Sequence, residues 1–370
     1  MNTYLKYHPM VAPVEGEYQI LFMTAVPGIG WIEVDGTRYT DEECGILHYG
    51  DMHKIRVDRA ALDRAGQYTL VFVEYKEKPA YNAVGEEVIR EKYRFCPLQG
   101  ENLHLFQFAD THGHIEVPLE NFRRYEETYG RVDLLVLNGD ITSASDTVKQ
   151  MELSFALASE AAAGERPVIY ARGNHDTRGR AAQLLAEYSP NAFRNGRKET
   201  FWSFRQGGLW GVVLDCGEDK FDNHREYGGT VAFEPFRERE ADWLRSPIEN
   251  KSEEYEAPGV THRIAFCHIP FVEYFDGDFS VSAQTYDRWV QMLGEMGIDL
   301  LLCGHMHTSY FLPPHAENKR DAAFPTAVSS RPPREKDEKP FYVGAAVEIR
   351  DGRRTVYAVV DGKRDASMVF

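Results

Sequence analysis

Along the first hundred residues, apolar and polar positions come in short runs without helical spacing. Glu17–Ala25, Trp31–Thr40, Ile46–Val57, Gln67–Lys76 and Val88–Phe95 are rich in Val, Ile, Tyr and Phe, side chains that suit a pleated, half-buried surface. Pro27-Gly28, Asp35-Gly36, Tyr49-Gly50-Asp51 and Ala65-Gly66 separate the runs. Strands punctuated in this way predict an all-β sandwich over residues 1–99, with no helical stretch of convincing length among them. Pro97-Leu98-Gln99-Gly100 then reads as a linker.

From Leu103 the pattern changes. Leu103–Ala109, Val132–Leu137 and Pro167–Tyr170 are near-continuous apolar runs, as in strands buried on both faces. Between them, Pro118–Tyr129 and Ser145–Ala163 place apolar residues at helical spacing. This alternation predicts parallel strands with helical crossovers, so residues 100–370 form an α/β domain. Further strands are expected near Phe201–Phe204, Leu209–Leu214, Arg263–Cys267 and Leu300–Leu302, with helices near Phe236–Leu244 and Thr285–Met296. Tyr342–Ile349 and Thr355–Val360 flank Asp351-Gly352 as a hairpin. Glu249–Pro258 and Ser329–Lys339 read as exposed loops.

Composition narrows the class. The chain has 370 residues, 43% hydrophobic and 27% charged, which excludes wholesale disorder and a disulfide-stapled miniprotein. The net charge of -16 argues against a surface that tracks a nucleic-acid backbone or an anionic membrane. Five scattered cysteines without a C-x-x-C pair fit free thiols in a reducing compartment. There is no apolar leader-like stretch at the N-terminus and no run of 18 apolar residues, so a cytoplasmic protein is expected.

Five segments put metal-capable side chains into a loop directly after an apolar strand: Asp110-Thr111-His112, Gly139-Asp140, Gly173-Asn174-His175-Asp176, Cys267-His268 and Gly304-His305-Met306-His307. Ligands of α/β sheets bind beyond the carboxyl ends of strands, so the five loops can converge on one crevice. Carboxylate, amide oxygen and imidazole suit Mn, Fe, Zn or Co better than thiolate-seeking metals. A carboxylate has two oxygens and can bridge two cations. Cys267 and Cys303 adjoin these residues but point to the opposite strand face, as packing thiols.

This motif set resembles the calcineurin-like metallophosphoesterase superfamily over roughly Leu103 to Val360. The resemblance implies a two-sheet αββα sandwich holding two divalent or trivalent transition-metal ions, Mn, Fe, Zn or a mixed pair. Asp110, His112 and His307 would hold one metal. Asn174, His268 and His305 would hold the other, with Asp140 bridging. Preceded by an N-terminal fibronectin-III- or immunoglobulin-like sandwich, the layout is similar to purple acid phosphatases. Those enzymes carry a glycine where this chain has His112, and a metal-binding tyrosine where it has Ser143, so no tyrosinate–ferric colour is expected.

The implied activity is phosphoric ester hydrolysis, on a monoester or a diester, by in-line attack of a metal-bridging hydroxide. His175 resembles the family's acid for the leaving alkoxide, with Asp176 expected to fix its tautomer. His114, Arg172, Arg178 and His224 are candidates for contacting substrate, and Tyr274 with Phe275 for a lid. The expected partner is a small phosphorylated substrate, not nucleic acid or a membrane. Two alternatives stand beside this reading: a nuclease, and a non-catalytic binding or scaffold protein of the same fold.

Overall fold

The structure, a computed structural model, describes residues 2–334 and 337–370. The N-terminal region is built around one 18-residue strand, Glu17–Val34. Its first half pairs antiparallel with Met10–Val14 on one edge and Gly50–Asp58 on the other. Its second half pairs with Gln67–Glu77 and Thr37–Thr40. Val84–Arg94 completes the sheet beside Gln67–Glu77. The register shifts between Met23 and Gly28. Pro27-Gly28 is therefore not the chain reversal expected of it but the place where a single strand changes partners. A Cβ on Gly28 would lie 2.3 Å from the Phe72 ring, so only glycine lets the layers close there. Inside the fold-over lie Tyr18, Ile20, Phe22, Ile32, Ile55, Val57, Leu70 and Phe72.

One short helix interrupts these strands. Arg59–Ala65 is a seven-residue turn of helix. The Asp58 carboxylate accepts the Ala61 N–H at 2.7 Å, and Gly66 ends the helix in the left-handed conformation. Leu62 is its one buried side chain, too small an apolar stripe to show as periodicity.

The strand Met10–Val14, also missed, is wholly buried and binds the two halves of the chain together. Ala12 and Val14 join the apolar core of the α/β half, while Met10, Leu21 and Met23 pack beneath its helices. Across this seam the Trp202 Nε1–H donates to the Pro13 carbonyl at 3.0 Å, the Gln206 amide to the Tyr18 hydroxyl at 2.6 Å, and the Tyr68 hydroxyl to the Gly164 carbonyl at 2.9 Å.

The α/β half has two facing six-stranded sheets. One runs Val168–Ala171, Leu134–Asn138, Leu103–Phe108, Val343–Arg350, Arg353–Val360, Lys363–Val369. The other runs Trp202–Gln206, Leu209–Val213, His262–Phe266, Leu300–Cys303, Thr326–Ser329, Ser309–Leu312. Alternate residues serve opposite faces. Leu103, Leu105, Leu134 and Val136 meet Val213, Ile264, Leu300 and Leu302 between the sheets. Phe106, Phe108, Leu135 and Leu137 instead face the helices Glu116–Tyr129 and Val148–Ala162. On the far side Val212, Ala265 and Leu301 pack with residues of Phe233–Trp243 and Ala283–Glu295. The architecture is αββα, with a strand-rich N-terminal region added.

One polar bridge crosses the apolar interlayer. The Gln107 amide donates to the Cys303 carbonyl at 3.0 Å and accepts from Asn138 at 2.8 Å, and the Asn138 amide also donates to the Leu302 carbonyl at 3.0 Å. These groups are fully buried, and they fix the strand ends of one sheet against those of the other. Ser329–Lys339 departs from the exposed loop expected of it: Ser329 ends a strand, Ser330, Pro332 and Pro333 are buried, and Arg331 exchanges backbone hydrogen bonds with Val343. Residues 335 and 336 of that stretch lie outside the described residues. No helix among the described residues is long and apolar enough to cross a membrane.

Because Met10–Val14 completes cores of the α/β half, a chain beginning at Gly100 is expected to aggregate. Soluble yield and gel filtration check this; a monodisperse, fully active truncate would show the seam to be dispensable.

Candidate metal centre

All five predicted loops meet at the strand ends. Asp110 and His112 follow Leu103–Phe108, Asp140 follows Leu134–Asn138, and Asn174 to Asp176 follow Val168–Ala171. From the facing sheet come His268 after His262–Phe266, and His305 and His307 after Leu300–Cys303. Asp110, His112, Asp140, His305 and His307 all have positive φ, between 47° and 70°. A left-handed backbone at a non-glycine residue costs energy that the surrounding fold must offset. Five such residues around one crevice show that the loops are held for the direction of their side chains.

Glycines leave the room. Gly139 has φ 77°, and a Cβ there would lie 2.5 Å from the His268 ring; a Cβ on Gly173 would lie 2.2 Å from Asp140 Oδ1.

The charges and lone pairs face inward. His307 Nε2 is 3.1 Å from Asp110 Oδ1, and His112 Nε2 and His268 Nε2 are each 3.7 Å from that oxygen. Asp140 Oδ2 is 3.2 Å from His268 Nε2 and 3.9 Å from His112 Nε2. The Nε2 atoms of His112 and His307 stand 3.0 Å apart, as do His305 Nδ1 and Asn174 Oδ1. Two ligand triads result, Asp110–His112–His307 and Asp140–His268–His305, each with donor atoms within 4.8 Å of one another. His112, Asp140 and His175 form a further such group between them. Asn174 joins the second triad through His305.

These residues fit a pair of cations. Asp110 Oδ1 and His268 Nε2 are buried without a hydrogen-bond partner, a costly state unless something positive stands between them. His268 Nδ1 lies 2.7 Å from the Asn138 carbonyl; donation there directs Nε2 into the cage, the arrangement of a ligating histidine once a cation replaces the Nε2 proton. Burial alone would raise Asp110, but the imidazoles of His268, His112 and His307 hold its carboxyl well below the ordinary range. Burial would lower His268, yet Asp140 and Asp110 push it up to about 10. Burial and the nearby His268 push His305 down to about 4.

Asp176 has a different task from the one expected. Its Oδ2 accepts the backbone N–H of Gly173 at 2.9 Å and of Asp140 at 3.1 Å, clamping two ligand loops together. Burial and the Asp140 charge push it up to about 7. The tautomer of His175 is set instead by Ser143, whose carbonyl lies 3.0 Å from His175 Nδ1. That turns Nε2 toward the crevice, 4.0 Å from Asp140 Oδ2. Sequence reasoning missed Ser143 because the contact is through the main chain.

Among the substrate-contact candidates, Arg178 lies at the site. Its Nε and one terminal nitrogen bind Glu218 at 2.8 Å each, while the other faces His175 Nε2 at 3.4 Å. Arg172 pairs with Asp215 at 2.7 Å, beneath the site. His114 is exposed and His224 faces Asp278 at 3.5 Å; neither bonds to a cage residue. Phe275 lines a small recess beside His305 with Ile269, Phe279 and Val281, while Tyr274 stays exposed. Cys267 and Cys303 pack with Cys216 on the helix side, as expected. A cavity of about 310 Å³ between helices, lined by Arg245, Arg288 and Met292, shares no residue with the cage.

The sequence pattern of the calcineurin-like phosphoesterases matches residues 103–309. This chain belongs to that family. Comparison with curated proteins finds no match. Among solved structures, the fold is similar to a purple acid phosphatase from yellow lupin (Lupinus luteus) seeds, with a TM-score of 0.64 at 12% identity over 98% of this chain and 73% of that one. A dimetal phosphatase from Danio rerio gives a TM-score of 0.49 at 12% identity, covering 74% of this chain and 99% of that one. The lupin likeness extends the shared architecture across the N-terminal strands of this phosphoesterase.

Two outcomes are expected. Since His268 holds a proton up to about pH 10 in the metal-free protein, a cation must displace it, so apparent metal affinity rises with pH, by about tenfold per unit for each proton released. Calorimetry of Mn²⁺ or Zn²⁺ uptake in buffers of different ionisation heat measures that release. Asp176→Asn, which keeps an oxygen acceptor for the two N–H groups, should retain activity within about tenfold, whereas Asp176→Ala should lose the metals, read by elemental analysis.

Proposed function

We propose that this phosphoesterase is a dinuclear-metal-dependent hydrolase of phosphoric esters, acting on a small phosphorylated substrate. The observation that carries the reading is that Asp140, a member of one ligand triad, also groups with His112 of the other, beside buried donor atoms that have no hydrogen-bond partner. Asp110, His112 and His307 would hold one cation, Asn174, His268 and His305 the other, and Asp140 would serve both. Such a pair of ions, of the Mn, Fe or Zn type, supplies an activated water and neutralises charge on a phosphoryl group.

The remaining steps belong to side chains. His175, oriented by the Ser143 carbonyl, delivers a proton from Nε2 to the departing ester oxygen. Arg178, gripped by Glu218 and by Asp219 at 3.2 Å, adds positive charge where the phosphate arrives. The recess formed by Ile269, Phe275, Phe279 and Val281 offers an apolar wall to the alcohol portion of the ester. The net charge of -16 disfavours a polynucleotide.

Residues 1–99 are read as a fibronectin-III/immunoglobulin-like sandwich whose role is structural, and residues 100–370 as the catalytic domain. The five free cysteines support a reducing, cytoplasmic setting.

The test is metal-loaded enzyme assayed on p-nitrophenyl phosphate, bis-p-nitrophenyl phosphate, alkyl phosphomonoesters and cyclic nucleotides. Hydrolysis of any of these supports the reading. Stoichiometric metal with no turnover would favour a binding protein of the same fold. His175→Ala should lower kcat by about 10²–10⁴-fold on alkyl esters, and far less on nitrophenyl esters, with metal content unchanged. An equal loss on both ester types would overturn the acid role.

A further inference from the structure

Far from the cage in sequence, the N-terminal sandwich brings together a second set of metal-capable side chains. The segment after Thr37–Thr40 forms a small hairpin, Glu42–Glu43 pairing with Ile46–Leu47. Its base is closed by the His48 N–H donating to the Asp41 carbonyl at 3.0 Å. Asp41 and His48 thus stand side by side, above the adjoining strand that carries His53. Donor atoms of Asp41, His48 and His53 all lie within 4.8 Å of one another.

His53 is fixed and fully buried. Its ring stacks on Phe22 at 4.9 Å and meets Phe72 edge-on at 5.8 Å. Both its nitrogens face oxygen: Nε2 lies 3.2 Å from the Gly50 carbonyl and Nδ1 lies 3.0 Å from Asp41 Oδ2. With Nε2 donating to Gly50, Nδ1 and the Asp41 carboxylate stand side by side as two donors that one cation can take. Asp41 Oδ1 is itself buried with no partner. His48 completes the group from the solvent side, its ring edge-on to His53 at 5.3 Å. A Cβ on residue 50 would lie 2.5 Å from His48 Nε2, so Gly50 makes room for that ring.

We propose that Asp41, His48 and His53 form a mononuclear site for a Zn²⁺-class cation, separate from the dinuclear cage. Two imidazoles and a carboxylate are a common ligand set for such ions, with water able to take a fourth position. His53 anchors the cation to the aromatic core, Asp41 and His48 tie the hairpin to it, and exposed His48 provides the route of entry. The site clips the hairpin to the sandwich and takes no part in ester hydrolysis.

The test uses the full-length chain, loaded with Zn²⁺ and dialysed, with metal counted by plasma mass spectrometry. His48→Ala, an exposed change, should bind one equivalent fewer than the parent protein, keep kcat unchanged, and lose the part of the Zn²⁺-induced rise in Tm that the parent shows. Asp41→Asn should also lose that equivalent, and Asp140→Asn should keep it. Co²⁺ loading gives a second readout, since visible bands from the mononuclear site should persist in Asp140→Asn and vanish when His48→Ala is added. If His48→Ala and Asp41→Asn each retain as much Zn²⁺ as the parent, the cluster is an Asp41–His53 ion pair only and the proposal falls.

Discussion

Two carboxylates out of reach of water, Asp110 and Asp140, end neighbouring parallel strands and look at imidazole nitrogens. Neither can be stable there without positive charge nearby, and the histidines cannot all supply it at neutral pH because His305 is held neutral by burial and by His268. The loops therefore store an electrostatic tension, added to five left-handed backbone residues. A scaffold must be stiff to hold such an arrangement. The two sheets provide that stiffness through an apolar interlayer and, at the very ends of the strands, through the amides of Gln107 and Asn138.

Single residues carry more than one duty in this framework. Asn138 spans the sheets with its side chain while its carbonyl receives the His268 ring. Ser143 donates its hydroxyl to the His112 carbonyl at 3.0 Å, and its own carbonyl turns His175. Asp176 spends its charge on two peptide N–H groups. Main-chain atoms thus orient much of the cage, so the side chains that face inward are left free to bind.

How much of this was legible in the sequence follows from where the information lies. Apolar runs followed by Asp, Asn and His could be read because strand burial and metal chemistry both act through side-chain type. The seven candidate ligands meet for that reason. The short helix Arg59–Ala65 was hidden because it buries one leucine. Pro27-Gly28 misled because a strand that bends and a chain that reverses use the same residues. Met10–Val14 escaped notice because much of what buries it, in Leu103–Val136 and Trp202–Phe204, lies far along the chain. The roles of Ser143 and Asp176 were unreadable because they depend on carbonyl and amide groups, which every residue has.

The seam between the two halves also bears on how the polypeptide reaches its native state. Trp202 must arrive before its indole can bond to Pro13, and the sheet strand Val343–Arg350 pairs with Leu103–Phe108 from more than two hundred positions away. During synthesis the first hundred residues emerge with Met10–Val14 paired on one side to Glu17–Leu21, while its other edge and its apolar face still lack the α/β half they pack against. Pairings of such separation close slowly, since a long loop must be ordered first. The nascent chain thus passes through a prolonged interval in which that edge is open to chaperones and to the same segment of a neighbouring copy.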